Sequence, residues 1–262
     1  MRRHNVQISG PPSAPPMVFA HGFGCDHHMW QPVASTFEDR FRVIVFDHAG
    51  AGNADPSAYD VDRHATLAGY AEDVVALCHD LGLHDVIFVG HSVSAMIGAL
   101  AAIIEPELFR KLIMVGPSAR YLNDDGYFGG FDTADIEGLL GALEANYLGW
   151  SAGIAPAIVG NADRPELGDT LTASFCRTDP EIAARFARVT FTSDNRDDLA
   201  FVTTETLVMQ CRDDIIAPEG VGEYVRDHLP NATYRLLNAT GHCPNLSAPV
   251  ETAAVIARFV DG

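Results

Sequence analysis

Three positions in this chain carry side chains that together make a serine nucleophilic. Ser92 lies in Gly90-His91-Ser92-Val93-Ser94, between the apolar run 86–89 and a helical pattern at Val93, Ile97, Leu100, Ala101 and Ile104. Four apolar residues stopped by Gly90 suit a strand buried on both faces. A strand that turns at once into a helix holds the residue between them on a strained corner. A serine there projects its hydroxyl above the sheet, at the positive end of the new helix. The usual pattern is G-x-S-x-G; Ser94 replaces the last glycine and is small enough to let strand and helix approach. A serine hydroxyl near neutral pH needs a base within hydrogen-bond reach and an acid to orient that base. His242 and the pair Asp213 and Asp214 each follow a short apolar run, and the chain order is Ser, Asp, His. The oxyanion of an acyl-transfer intermediate needs two backbone N–H donors. Val93 supplies one, and Phe23, in the loop His21-Gly22-Phe23-Gly24, supplies the other.

The remaining candidates are weaker. His91 is expected to face away from the site, and His21 and Asp47 to brace loops. His27, His28, His48, His64, His79, His84 and His228 show no convergent spacing with Cys or carboxylates, so no metal site is expected. Gly50-Ala51-Gly52-Asn53-Ala54-Asp55 lacks the third glycine of a dinucleotide loop, and no cofactor is expected.

The elements that must hold these residues alternate. Apolar runs at 17–20, 41–46, 86–89 and 112–115 read as buried strands. The stretch 67–81 reads as a helix with Leu67, Tyr70, Val74, Leu77 and Leu81 on one face. After an interruption the pattern resumes, with strands at 206–210 and 233–237 and helices at 220–229 and 249–260. Such alternation implies a mostly parallel sheet flanked by helices, with loops at the carboxyl ends of strands carrying the chemistry. Between 121 and 199 no buried strand is evident. Helical patches at 133–145, 165–175 and 180–190 stand there instead, among many large apolar residues. The expected organisation is a core of 1–120 and 200–262 with a helical lid, 121–199, over a pocket.

Composition narrows the class. With 17 basic and 35 acidic residues the net charge is −18, which excludes nucleic acid and anionic membranes as partners. The five cysteines are scattered without CxxC spacing, as in a reducing cytoplasm. The first sixteen residues contain no apolar segment of the signal-peptide kind.

The segments HGFGCD (21–26), DHAGAG (47–52), GHSVSAMIGALAA (90–102), YLND (121–124), GGF (129–131), FTSDNR (191–196), QCRDDIIAP (210–218) and GHCPNLS (241–247) together resemble the RsbQ-type branch of the α/β-hydrolase superfamily. The plant karrikin and strigolactone receptors are similar. The resemblance implies the α/β-hydrolase fold, with a four-helix V-shaped lid inserted after the sixth strand. It favours Asp214 over Asp213, because related sequences show D-x-x-x-P and Pro218 stands four after Asp214. It implies an enclosed, mostly apolar pocket lined by Phe23, Tyr121, Phe131, Leu139, Ile154, Phe175 and Phe191, with Ile154 where the plant proteins carry Phe. His27 and His28 replace a more usual small or polar pair. The implied activity is hydrolysis of a small apolar ester or lactone of butenolide type by a monomer or homodimer. The implied partner is a PAS-domain phosphatase (RsbP-like) in bacterial stress signalling, or a signalling protein in the plant receptors.

Overall fold

The structure is a computed structural model and describes residues 2–262. Its strands are β1 (Gln7–Ser9), β2 (Pro16–Ala20), β3 (Arg42–Phe46), β4 (Val86–His91), β5 (Phe109–Val115), β6 (Glu205–Asp213) and β7 (Ala232–Thr240). They form one sheet in the order β1-β3-β2-β4-β5-β6-β7. β1 runs antiparallel to β3 and every other pairing is parallel.

Central β4 shows why its sequence is apolar without alternation. Val86 and Phe88 enter the core under α2 (Leu67–Asp80), α3 (Val93–Ile104) and α8 (Glu219–His228). Ile87 and Val89 enter the opposite core, with Trp30, with Val33 of α1 (Gln31–Ala34) and with Ile256 of α10 (Pro249–Asp261). Both faces are thus dry, and only apolar side chains fit either.

Strands run longer than their apolar runs. β4 continues through Gly90 and His91, and β6 continues to Asp213, because ladder hydrogen bonds use the backbone whatever the side chain. Strand β1 has no sequence counterpart above: its three residues are exposed or half-exposed at the sheet's edge and show no period. The lid is inserted after the fifth strand and not, as expected, after the sixth. Only one edge strand, β1, precedes β2.

The inserted helices are α4 (Thr133–Ala145), α5 (Tyr147–Val159), α6 (Pro165–Phe175) and α7 (Pro180–Thr192). Asp132 and Asp135 form a capping box at the start of α4, and the Asp179 carboxylate accepts from the amides of Glu181 and Ile182 at the start of α7. Helix α5 has no counterpart among the helical patches read above, because Gly149, Gly153 and Pro156 look like breakers. Its buried residues, Tyr147, Ser151, Ala155 and Val159, recur at every fourth position and form one stripe. Packing on α6 completes it: a Cβ at Gly168 of α6 would lie 3.2 Å from the Cα of Pro156. Tertiary contact therefore overrides weak propensity. Where the chain enters and leaves the lid, Arg120 bridges Asp194 through the backbone, and Arg196 pairs with Asp124 at 2.9 Å and Asp194 at 2.7 Å.

Phe88 is 1% exposed at the centre of the core beneath the site. Phe88→Ala is expected to lower the unfolding free energy by about 3–5 kcal/mol in urea titrations followed by circular dichroism.

Candidate active site

Ser92 sits between the end of β4 and the first residue of α3, with φ +57° and ψ −125°. A non-glycine residue in the left-handed region is strained, and the surrounding packing must hold it there. Its own amide donates to the Val115 carbonyl at 2.8 Å. Gly90 makes the corner possible, since a Cβ there would lie 2.3 Å from the Ser94 carbonyl oxygen.

His242 Nε2 lies 2.7 Å from Ser92 Oγ, and His242 Nδ1 lies 2.7 Å from Asp214 Oδ2. The other oxygen of Asp214 accepts from the amides of Ile216 at 2.8 Å and Ala217 at 3.0 Å. All three side chains are buried, whereas Asp213, the last residue of β6, is exposed. With Asp214 fixed by two amides, the imidazole presents Nδ1–H to it and leaves Nε2 as acceptor for the serine hydroxyl. His91 does not face away: its Nε2–H donates to the His242 carbonyl at 2.7 Å. Burial, and then the neighbouring His242, push His91 down to about 3, so it stays neutral beside the base.

Val93 is the first residue of α3, so no turn of its own helix can accept its N–H. Phe23, in the loop after β2, lines the same cavity as Ser92. Ser94, the departure from the glycine pattern, braces that loop: its hydroxyl donates to the His21 carbonyl and accepts from His48 Nε2–H at 2.7 Å. His21 Nε2 in turn accepts from the His48 amide at 3.1 Å. Burial lowers both histidines, which keeps this network neutral. Nothing in the local sequence marks Ser94 or His48 for this task. It exists only because three loops meet.

Above Ser92 lies a small, mostly apolar cavity of about 30 Å³, and its walls include Phe23, Ile158, Leu171, Phe175, Phe191 and Ile216. Phe23 meets Phe175, Phe186 and Phe191 edge-on at 5.7, 5.9 and 6.1 Å. Of the expected lining residues, the structure brings Phe23, Phe175 and Phe191 to the wall. Tyr121 stands over the nucleophile, its hydroxyl 3.4 Å from Ser92 Oγ, and burial holds its phenol protonated. Phe131 backs Phe191 at a centroid distance of 6.5 Å, and Leu139 packs into the lid's own core. Ile154 is half-buried and off the wall. Ile158, one turn on, lines the wall in its place. Cys25 and Cys243 also line the cavity. Burial pushes Cys25 up to about 12 and Cys243 well above its ordinary value, so neither thiol competes with Ser92.

Residues 15–249 match the family described as alpha/beta hydrolase fold. The chain belongs to that family. This α/β-hydrolase is 40% identical over 243 residues to a strigolactone esterase of Arabidopsis thaliana, covering 92% of this chain and 91% of the relative. It is 37% identical over 262 residues to the Karrikin insensitive 2 receptor CA of Petunia hybrida, covering 98% and 95%. A solved hydrolase from Oleispira antarctica superposes with a TM-score of 0.96 at 35% identity, covering 100% of this chain and 96% of that one. No helix among the described residues of this hydrolase is long and apolar enough to cross a membrane.

The histidines set aside for lack of spacing do converge in one place. One ligand atom each from Asp26, His27 and His28 lies within 4.8 Å of the others. All three are already partnered: His27 with Asp47 at 2.8 Å, His28 with Asp26 at 3.0 Å, and Asp26 also with Arg177 at the end of α6. They brace the segment behind the Phe23 loop. The Asp47 hydrogen bond raises His27. Burial works against Asp47, yet the bond from His27 helps hold its carboxyl below the usual range. A raised histidine stabilises the fold fully below its unfolded value of about 6.5, and that gain is lost as pH rises through the folded value. The depressed Asp47 contributes above about pH 4 and is lost below it. His27→Gln should therefore lower the melting temperature most between about pH 4 and 6.5 and progressively less toward pH 9, as checked by thermal melts across that range.

Proposed function

We propose that this α/β-hydrolase is a serine esterase or lactonase acting on a small, largely apolar, butenolide-like substrate without a cofactor. The observation that carries the reading is the buried relay from Ser92 through His242 to Asp214, with 2.7 Å at each step, opening into a cavity without charged side chains. Ser92 Oγ attacks the carbonyl carbon while His242 Nε2 takes its proton. Asp214 holds the imidazole and stabilises the imidazolium. The Phe23 and Val93 amides donate hydrogen bonds to the developing oxyanion. His242 then gives its proton to the leaving alkoxide, which stays in the acyl-enzyme's own chain when the substrate is a lactone. Water, activated by the same nitrogen, releases the acid and restores the serine. The lid, residues 121–199, keeps other water out. At about 30 Å³ the cavity holds about one water, so an ester must displace its walls to fit.

A second reading is supported by the 37% identity to a protein named as a receptor. In it, slow hydrolysis serves ligand sensing, and the hydrolase acts in the cytoplasm as an RsbQ-type protein with a PAS-domain phosphatase as partner. The two readings share their chemistry and differ in turnover. Rapid multiple turnover without a partner favours the metabolic enzyme. Turnover slower than about once a minute, with a ligand that raises the melting temperature and drives partner binding, favours the receptor.

A fluorophosphonate should place one adduct on Ser92 by mass spectrometry. Ser92→Ala and Asp214→Asn should cut p-nitrophenyl acetate turnover by about 10⁴-fold or more at an unchanged circular dichroism spectrum. An adduct elsewhere, or undiminished turnover by Ser92→Ala, removes the mechanism.

A further inference from the structure

We infer that the turn between α5 and α6 is a clasp that positions His242, with Asn161 and Arg164 as its positioning residues, so that the base is held in register only while the lid is seated. The inference rests on the proposed role of His242 as base.

The backbone of His242 is gripped from two sides. Its carbonyl accepts from His91 Nε2 at 2.7 Å, which ties it to the core. Its amide donates to the Ile158 carbonyl at 2.8 Å, which ties it to the lid. The approach is as close as backbone allows: Gly241 has φ +84°, and a Cβ there would fall 1.8 Å from the Val159 carbonyl oxygen. Asn161 closes the clasp. Its Nδ2 donates to Val159 O at 2.8 Å on the lid and to Thr240 O at 3.0 Å, two residues before the base. To do so Asn161 takes φ +58°, a left-handed conformation that asparagine tolerates better than most residues. Arg164 locks it, giving one nitrogen to Asn161 Oδ1 at 2.5 Å and another to the Ser247 carbonyl at 2.8 Å. Ser247 ends α9 (Pro244–Ser247), the short helix that follows His242.

Ile158 is therefore two things at once. Its side chain is part of the wall that a substrate must push against, and its carbonyl holds the amide of the base. Displacing the last turn of α5 draws on the strap that keeps the imidazole between Ser92 and Asp214. Hydrogen bonds lengthened by even a fraction of an ångström weaken proton transfer steeply. A ligand small enough to let α5 settle back is turned over, while a bulkier acyl group that props α5 open is bound but processed slowly. The discrimination falls on kcat and not on KM.

The deciding variant is Asn161→Gly. Glycine accepts the positive φ without strain, so the fold is kept while the clasp is lost. The expected result is a fall in kcat on p-nitrophenyl acetate of about tenfold or more, with KM within about twofold. The rate of fluorophosphonate labelling at Ser92 should fall in parallel, and kcat is to be counted per labelled site. Arg164→Ala should show the same split, and Arg164→Lys a partial recovery. Unchanged kcat per labelled site in Asn161→Gly overturns the inference, as does a rise in KM alone, which would make the turn merely a pocket wall. Wild-type protein that takes no label at Ser92 fails the proposed mechanism instead, and the two failures are separable.

Discussion

The imidazole of His242 is the point on which the rest of this structure leans. One ring must hold a hydrogen bond to Ser92 and another to Asp214 at the same time, each at 2.7 Å. Each of its neighbours comes from a different strand end: Ser92 after β4, Asp214 after β6, and His242 itself after β7. A parallel sheet delivers this economically, because its strands all finish on one edge. The price is strain at Ser92, and the buried strand below and the helix above offset it.

Burial sets the electrostatics of the site. Four histidines, His21, His48, His91 and His242, lie close together in a protein of net charge −18, and no mutual repulsion results. Desolvation keeps His21, His48 and His91 neutral, and each spends its N–H on a fixed acceptor. Of the four, only His242 has a carboxylate hydrogen-bonded to its Nδ1. The same desolvation silences Cys25 and Cys243, leaving the hydroxyl of Ser92 as the one nucleophile with a base in reach.

The lid obeys a different economy. Helices α5, α6 and α7 bury aromatic rings against Phe23 while α4 adds Ile136, Leu140 and Leu143, and the cavity left beneath them is small. The side-chain contacts of this roof are dispersive, individually weak though large in sum. Polar contacts tie its borders to the core: side-chain ion pairs at the 120–124 and 194–196 crossings and the hydrogen bonds around Asn161.

Much of this was legible in the residues alone. Apolar runs announced the buried strands because both faces of β4 are dry. The corner at Ser92 was visible because strand and helix periodicities abut there without a loop, and the order Ser, Asp, His follows from the order of strand ends. Helix α5 was not legible, since its glycines and Pro156 are tolerated only with α6 beside it. Nor was the pocket wall, where Ile158 stands in for Ile154, because a helix's rotation relative to its neighbours is a property of packing. Local pattern determined which groups this chain carries and which strand ends present them, for hydrogen bonding along the chain and side-chain period are short-range. The D-x-x-x-P pattern already favoured Asp214 over Asp213, but only tertiary structure decided that Ser94 braces the Phe23 loop and that the backbone of α5 meets the amide of His242. Those depend on atoms far apart in sequence coming within 3 Å, a separation that no periodicity encodes.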